Sequence, residues 1–207
     1  MSVNYTIMNS PENNNDVNPW NIKELKKANL WESRKYISAT GLVPYVKSLG
    51  ENIRGLEIGV ASGWNMNHFL NEIPDLCLIG VDPYIPFIDW NNSEHTQELL
   101  DSQYESAMDN ISEFADRSHI IKSKSQDICE KFDDGELDYI FIDGDHSYNA
   151  VLSDCNNFYS KVRPGGIFSG HDSALPAVVS ALEEFRKYKN MPEIQYTDNY
   201  VWFWIKE

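Results

Sequence analysis

The sequence predicts an α/β fold in which a mostly parallel sheet carries helices on both faces. Three observations predict it. From Gly55 onward, short apolar runs alternate with helix-patterned segments, and repeated βα units close into a parallel sheet. Two of the runs, LCLIGV at 76–81 and LDYIFI at 137–142, are apolar almost throughout, as strands covered on both faces are. The residues that can do chemistry fall directly after such runs, where open α/β sheets bind their ligands.

Each element follows from local pattern. Residues 1–20 are rich in Asn, hold Pro11 and Pro19, and read as a flexible arm. Residues 21–207 read as one domain. It opens with a helical extension over 21–50, with helix pattern at 21–36 and 42–49. A first strand at 55–58 ends at glycine, and a helix at 64–73 is closed by Pro74. After the second strand at 76–81 comes a long loop, 82–92. Ser93 reads as the cap of a helix reaching 114, with Leu100, Tyr104, Met108 and Ile111 inward and Glu98, Asp101, Glu105 and Asp109 toward water. A third strand is expected at 119–122, a short helix at 127–132 and a fourth strand at 137–142. A helix at 150–159 follows, and Arg163-Pro164-Gly165-Gly166 turns into a fifth strand at 167–169. A helix at 177–188 precedes two strands, 193–196 and 200–205, joined at Asp198-Asn199 as an antiparallel hairpin. Trp202 and Trp204, alternating with Phe203, read as sheet packing.

Composition narrows the function. The 207 residues carry a formal net charge of −15, which repels nucleic-acid phosphates and anionic membranes. Lys23, Lys26, Lys27, Arg34 and Lys35 cluster, but read as a solvated helix face. No run approaches the roughly 18 apolar residues of a membrane span, and the start lacks the basic and apolar regions of a secretory signal. A cytoplasmic protein is expected, with Cys77, Cys129 and Cys155 as reduced thiols. Trp20 and Trp31 in the extension make a homodimer an expectation.

Four strand ends carry the chemistry. The first reads Glu57-Ile58-Gly59-Val60-Ala61-Ser62-Gly63. An acid ends the strand and two glycines flank a tight turn into a helix. Dinucleotide sites place Gly-x-Gly-x-x-Gly and a pyrophosphate here. An acid in that place suits a ligand with an ammonium group and no phosphate, and the bland alternative is a structural turn. Asp82, after the second strand, can take both hydrogen bonds of a ribose diol, or cap a turn before Pro83. After the third strand, Ser125 and Gln126 offer donors and acceptors for an adenine edge, or Ser125 is a helix N-cap. After the fourth strand, Asp143-Gly144-Asp145-His146 faces His171-Asp172 from the end of the fifth. Such a group can hold a divalent cation beside a base, or form a metal-free hydrogen-bonded network. Histidine suits zinc, iron or nickel better than magnesium. The loop aromatics Tyr84, Phe87 and Trp90 either wall an acceptor pocket or pin the loop.

These motifs resemble the class I S-adenosylmethionine-dependent methyltransferases, and more narrowly the macrocin O-methyltransferase-like family. The stretch 137–172 (LDYIFIDGDHSYNAVLSDCNNFYSKVRPGGIFSGHD) is the most specific. LEIGVASGW, KSQDI and the acidic end of the fourth strand are also similar to catechol O-methyltransferase. The resemblance implies a Rossmann-like methyltransferase fold, with seven strands in the order 3-2-1-4-5-7-6. It implies that Glu57, Gly59 and Gly63 line the methionine part of the cofactor, with Asp82 on the ribose, Ser125 and Gln126 near adenine, and Asp143 between cofactor and metal. It implies metal ligands Asp143, His171 and Asp172, where His171 departs from the oxygen ligand of relatives, and His146 as general base. The implied reaction is O-methylation of a small molecule, a sugar among the candidates. A nucleotide-dependent oxidoreductase and a non-catalytic module that binds S-adenosylmethionine are the alternatives.

Overall fold

The computed structural model describes residues 39–89 and 92–207. The arm at 1–20, the helix pattern at 21–36, the basic cluster, Trp20, Trp31 and Trp90 lie outside the described residues. A 3-10 turn at Thr40–Leu42 runs into helix α1 (Val43–Lys47), which starts with Pro44 in its first turn. Strand β1 is Ile53–Ile58, α2 is Trp64–Glu72 and β2 is Leu76–Val81. A two-stranded ribbon follows, β3 (Phe87–Ile88) and β4 (Glu94–His95), then α3 (Gln97–Ile111) and β5 (Ser118–Ile121). The short α4 (Ser125–Ile128) precedes β6 (Leu137–Ile142), α5 (Tyr148–Phe158) and β7 (Val162–Gly170). Helix α6 (Pro176–Lys189), β8 (Gln195–Tyr196) and β9 (Trp202–Ile205) complete the chain.

Seven strands form one sheet in the order β5-β2-β1-β6-β7-β9-β8. In sequence order of those seven, that is 3-2-1-4-5-7-6, as expected. Five strands are parallel and β9 is antiparallel to both β7 and β8. Residue parity sends side chains to two separate cores. Tyr139, Phe141 and Phe203 join Phe69, Leu70, Leu100 and Ile111 on the face covered by α1, α2 and α3. Ile140, Ile142, Trp202 and Trp204 join Val151, Phe158, Leu182 and Phe185 on the face covered by α4, α5 and α6. The alternating Trp202, Phe203 and Trp204 are all buried, so both cores use the last strand.

Local differences from the expected elements have physical causes. The loop 82–92 folds back as the β3–β4 ribbon, so the helix starts later: Thr96, not Ser93, caps α3 by accepting from Leu99 N. Helix α3 also turns differently. Ala107 and Asn110 are buried while Met108 is exposed, because the helix backbone at Ala107 packs against Gly63. Asn110 Nδ2 then donates to Ser62 O at 2.6 Å. Ser125 does not cap α4; Lys124 holds that position without a side-chain bond. The Arg163–Gly166 turn is part of one continuous strand whose pairing with β6 shifts register between Leu137 and Tyr139. Cys77, Cys129 and Cys155 are all free thiols.

Candidate functional site

Register places the site. Ile121, Val81, Ile58, Ile142 and Gly170 pair in one row across five strands, so the next residues leave the sheet at one level. One further rung ties the exits together. Gly59 N donates to Val81 O at 2.8 Å, Asp143 N to Ile58 O at 2.7 Å and His171 N to Ile142 O at 3.0 Å. Gly59, Asp82, Asp143 and His171 therefore share the carboxyl edge of the sheet.

Gly59 has φ +87°, and a Cβ on it would overlap the Asp143 carbonyl group. Only glycine lets the β1 and β6 exits approach this closely. Gly63, at φ +71°, begins α2. Between them Ala61 sits at φ +46°, held by Asp82. Asp82 Oδ2 accepts from Val60 N and Ala61 N at 3.0 Å each, and Oδ1 from Tyr84 N at 2.9 Å. Tyr84 Oη donates back to Ala61 O at 2.8 Å. Asp82 thus fastens the glycine turn, with lone-pair capacity left over. Tyr84 is buried and packs edge-on against Tyr104, so it pins this loop. Phe87 is about half exposed and stacks on His95 at 4.2 Å.

Glu57 is 2% exposed at the end of β1, and its Oε2 accepts from Asn65 Nδ2 at 2.8 Å. Burial raises its carboxyl well above the usual range; the Asn65 bond opposes this, and the charges of Asp143 and Asp82 add to it. Neither Glu57 nor Asp82 has an ion-pair partner among the described residues. Acidic groups that repel one another across a partly closed turn favour a ligand that brings positive charge.

Asp143, His146 and Asp172 offer ligand atoms that all lie within 4.8 Å of one another. His146 Nε2 is 3.4 Å from Asp172 Oδ2. His171 Nδ1 is 3.3 Å from the same oxygen and 3.8 Å from Asp143 Oδ1, while its Nε2 is buried with no hydrogen-bond partner. Burial raises the Asp143 carboxyl, against the pull of His171. Burial also works against the Asp172 carboxylate, but the His171 bond and the charges of His146 and His171 hold it below its usual range. Burial works against the charged His171 too, yet Asp172 and Asp143 raise it. Asp172 sits at φ +60°, a strained placement for a side chain that must point into the group. Asp145 turns away and accepts from Ser147 N at 2.8 Å at the start of α5.

Ser125 and Gln126 lie past the end of β5, with Gln126 exposed. Ser125 Oγ donates to Asp154 Oδ1 at 2.6 Å. Two residues bear on the site without having been singled out from sequence, Asn65 and Asp154. Asn65 carried no signal. Asp154 did: with Val151, Cys155 and Phe158 it occupies the i, i+3, i+4, i+7 stripe that α5 buries, and an acid on such a stripe is costly.

Comparison with known proteins follows the same lines. A family model described as a methyltransferase domain matches residues 56–173. No curated protein matches the chain in sequence. Among solved structures, the chain is similar to the O-methyltransferase NovP at 17% identity, covering 86% of this chain and 79% of that one, with a TM-score of 0.57. It is similar to the O-methyltransferase TomG from Streptomyces achromogenes, solved with S-adenosylmethionine, at 16% identity, 80% and 78% coverage and TM-score 0.57. An O-methyltransferase from Bacillus cereus in complex with S-adenosylhomocysteine gives 16%, 87% and 89%, and 0.60. At such identities the likeness is one of fold. Among the described residues no helix is long and apolar enough to cross a membrane.

Proposed function

Because the chain belongs to the methyltransferase-domain family, we propose that it transfers the methyl group of S-adenosylmethionine to a hydroxyl of a small molecule, a sugar among the candidates, with His146 as general base. The observation that carries this reading is the trio Glu57, Asp82 and Asp143 around the glycine turn. The cofactor fits it. Glu57 would pair with the ammonium group, Asp82 with the ribose, and Gly59 and Gly63 would line the methionine portion. Ser125 and Gln126 would take the adenine edge, and Asp143 would lie between cofactor and acceptor. The O-methyltransferases of like fold support transfer to oxygen.

S-adenosylmethionine, when bound, supplies a methyl carbon already activated by its sulfonium. What remains for the protein is alignment and removal of one proton. Asp172, accepting from Nε2–H of His146, would fix the ring and leave Nδ1 as the basic nitrogen. His146, so oriented, would take the hydroxyl proton of the acceptor as that oxygen is methylated.

A divalent cation is the second part of the proposal. Ligand atoms of Asp143 and Asp172 lie within 4.8 Å of one another, and two carboxyl groups that close favour a proton or a cation between them. That donor set, with an imidazole beside it, fits a divalent ion. The converging ligand atoms include His146; Asp143 and Asp172 would hold the ion with His171, whose Nδ1 lies 3.8 and 3.3 Å from their oxygens, if His146 is to stay free as the base, and the ion would lower the acceptor hydroxyl's pKa.

Calorimetric titration of the full chain with S-adenosylhomocysteine and, separately, with NAD tests the reading. Uptake of the first alone is expected. Binding without methyl transfer to any hydroxylated acceptor would instead leave a non-catalytic binding module.

A further inference from the structure

Asp154 has no place in the chemistry above, yet it is a carboxylate that is 6% exposed inside the α5 core stripe. Burying it costs several kcal/mol unless it is well bonded. Its one recorded hydrogen-bond partner among the described residues is a neutral hydroxyl, Ser125 Oγ, at 2.6 Å. The charge that acts on it is that of another acid, Asp145, which makes ionisation harder still. An apolar residue here would serve packing better, so the carboxylate answers to Ser125.

A serine hydroxyl ordinarily rotates to suit its ligand, giving or taking a hydrogen bond. Burial raises the Asp154 carboxyl to about 6, so at about pH 8, where the test below is run, it is ionised and accepts only. With its proton committed to Asp154, Ser125 Oγ presents nothing but lone pairs to whatever lies beyond it. On the proposed cofactor reading, what lies beyond is the edge of the purine. We propose that Asp154 is a specificity-determining residue: by fixing Ser125 Oγ as an obligate acceptor, it selects a purine with an exocyclic amino group and rejects one with a carbonyl in that place. Gln126 cannot supply this alone, since its exposed amide can turn over and present either atom. Asp154 acts through Ser125 and touches no ligand. The inference rests on the methyltransferase reading but is separable from it.

The test compares S-adenosylhomocysteine with S-inosylhomocysteine, which differ at that group and in the proton the oxo form carries on N1, by calorimetry on the parent, Asp154→Leu, Ser125→Ala and the double variant; only the part of the preference that these variants remove is assigned to Ser125 and Asp154. The parent is expected to favour the adenine form by about tenfold or more, the worth of one unmade buried hydrogen bond. Asp154→Leu, whose serine is free to rotate, loses that preference. Ser125→Ala loses it equally, and the double variant loses no more than either. A ratio of two affinities on the same folded sample is insensitive to a general loosening, and Ser125→Ala carries the test if Asp154→Leu fails to fold. A parent that binds both forms equally, or a preference kept in Asp154→Leu or Ser125→Ala, overturns the inference and leaves the methyltransferase reading standing. A parent that binds neither form overturns both.

Discussion

Replacing Gly59 with alanine should damage cofactor binding and stability together, and the structure sets the scale. Two terms act. A residue with a side chain at φ +87° pays about 1–2 kcal/mol of backbone strain. The new Cβ would also overlap the Asp143 carbonyl group, where 3.4 Å or more is ordinary, so the exits of β1 and β6 must part by more than about 1 Å. That movement stretches the bond from Asp143 N to Ile58 O, worth about another 1 kcal/mol. The sum, about 2–3 kcal/mol, corresponds to roughly 4–12 °C in Tm for a chain this long. Asp143 moves with the strand end, so affinity for the ligand it lines should fall, and methyl transfer by on the order of 100-fold. Calorimetry with S-adenosylhomocysteine and thermal melts measure both effects. Gly50→Ala is the control: φ is +107° with nothing within 4 Å, so strain acts there without a clash. If Gly59→Ala binds the ligand within threefold of the parent, or melts no lower than Gly50→Ala, close approach of the two strand ends is not what shapes the site.

Three more outcomes are expected. His146→Ala should lower methyl transfer by about 10²–10⁴-fold while leaving affinity for S-adenosylhomocysteine within a few fold; turnover near the parent's would remove His146 as the base. Metal titration of the full chain should show one site, weakened by Asp143→Asn, Asp172→Asn and His171→Ala but kept in His146→Ala; the reverse order for the two histidines would make His146 a ligand. Stability should depend on pH through Asp154, which burial pushes up to about 6 against the Ser125 bond, with Asp145 adding. The native chain then holds this proton more tightly than the unfolded chain, so stability falls as pH rises between about 4 and 6. The Asp154→Asn variant lacks that loss, and its unfolding free energy should gain about 2 kcal/mol on the parent's between pH 4 and pH 7. A difference constant across that range would mean the carboxyl is not raised.

Residue pattern alone determined the sheet. Strands β2 and β6 were readable to the residue, because each is an apolar run broken at most near its start and ended by an acid, Asp82 or Asp143. The acids and glycines of the candidate site were readable for a related reason: in a parallel sheet they must follow the strands, and LEIGVASG, VD, IDGDH and GHD do. Where pattern was silent, distant contacts decided. The rotation of α3 depends on how close Gly63 lets the helix come, which no local periodicity records. The ribbon at β3–β4 is two residues per strand, too short for any period to register. Ser125 had the pattern of a cap, and only its meeting with Asp154, 29 residues away, shows where its proton goes. Chain-local chemistry thus fixed which groups stand at the sheet edge. Which of them touch, and which are left facing a ligand, depended on packing between segments far apart in sequence.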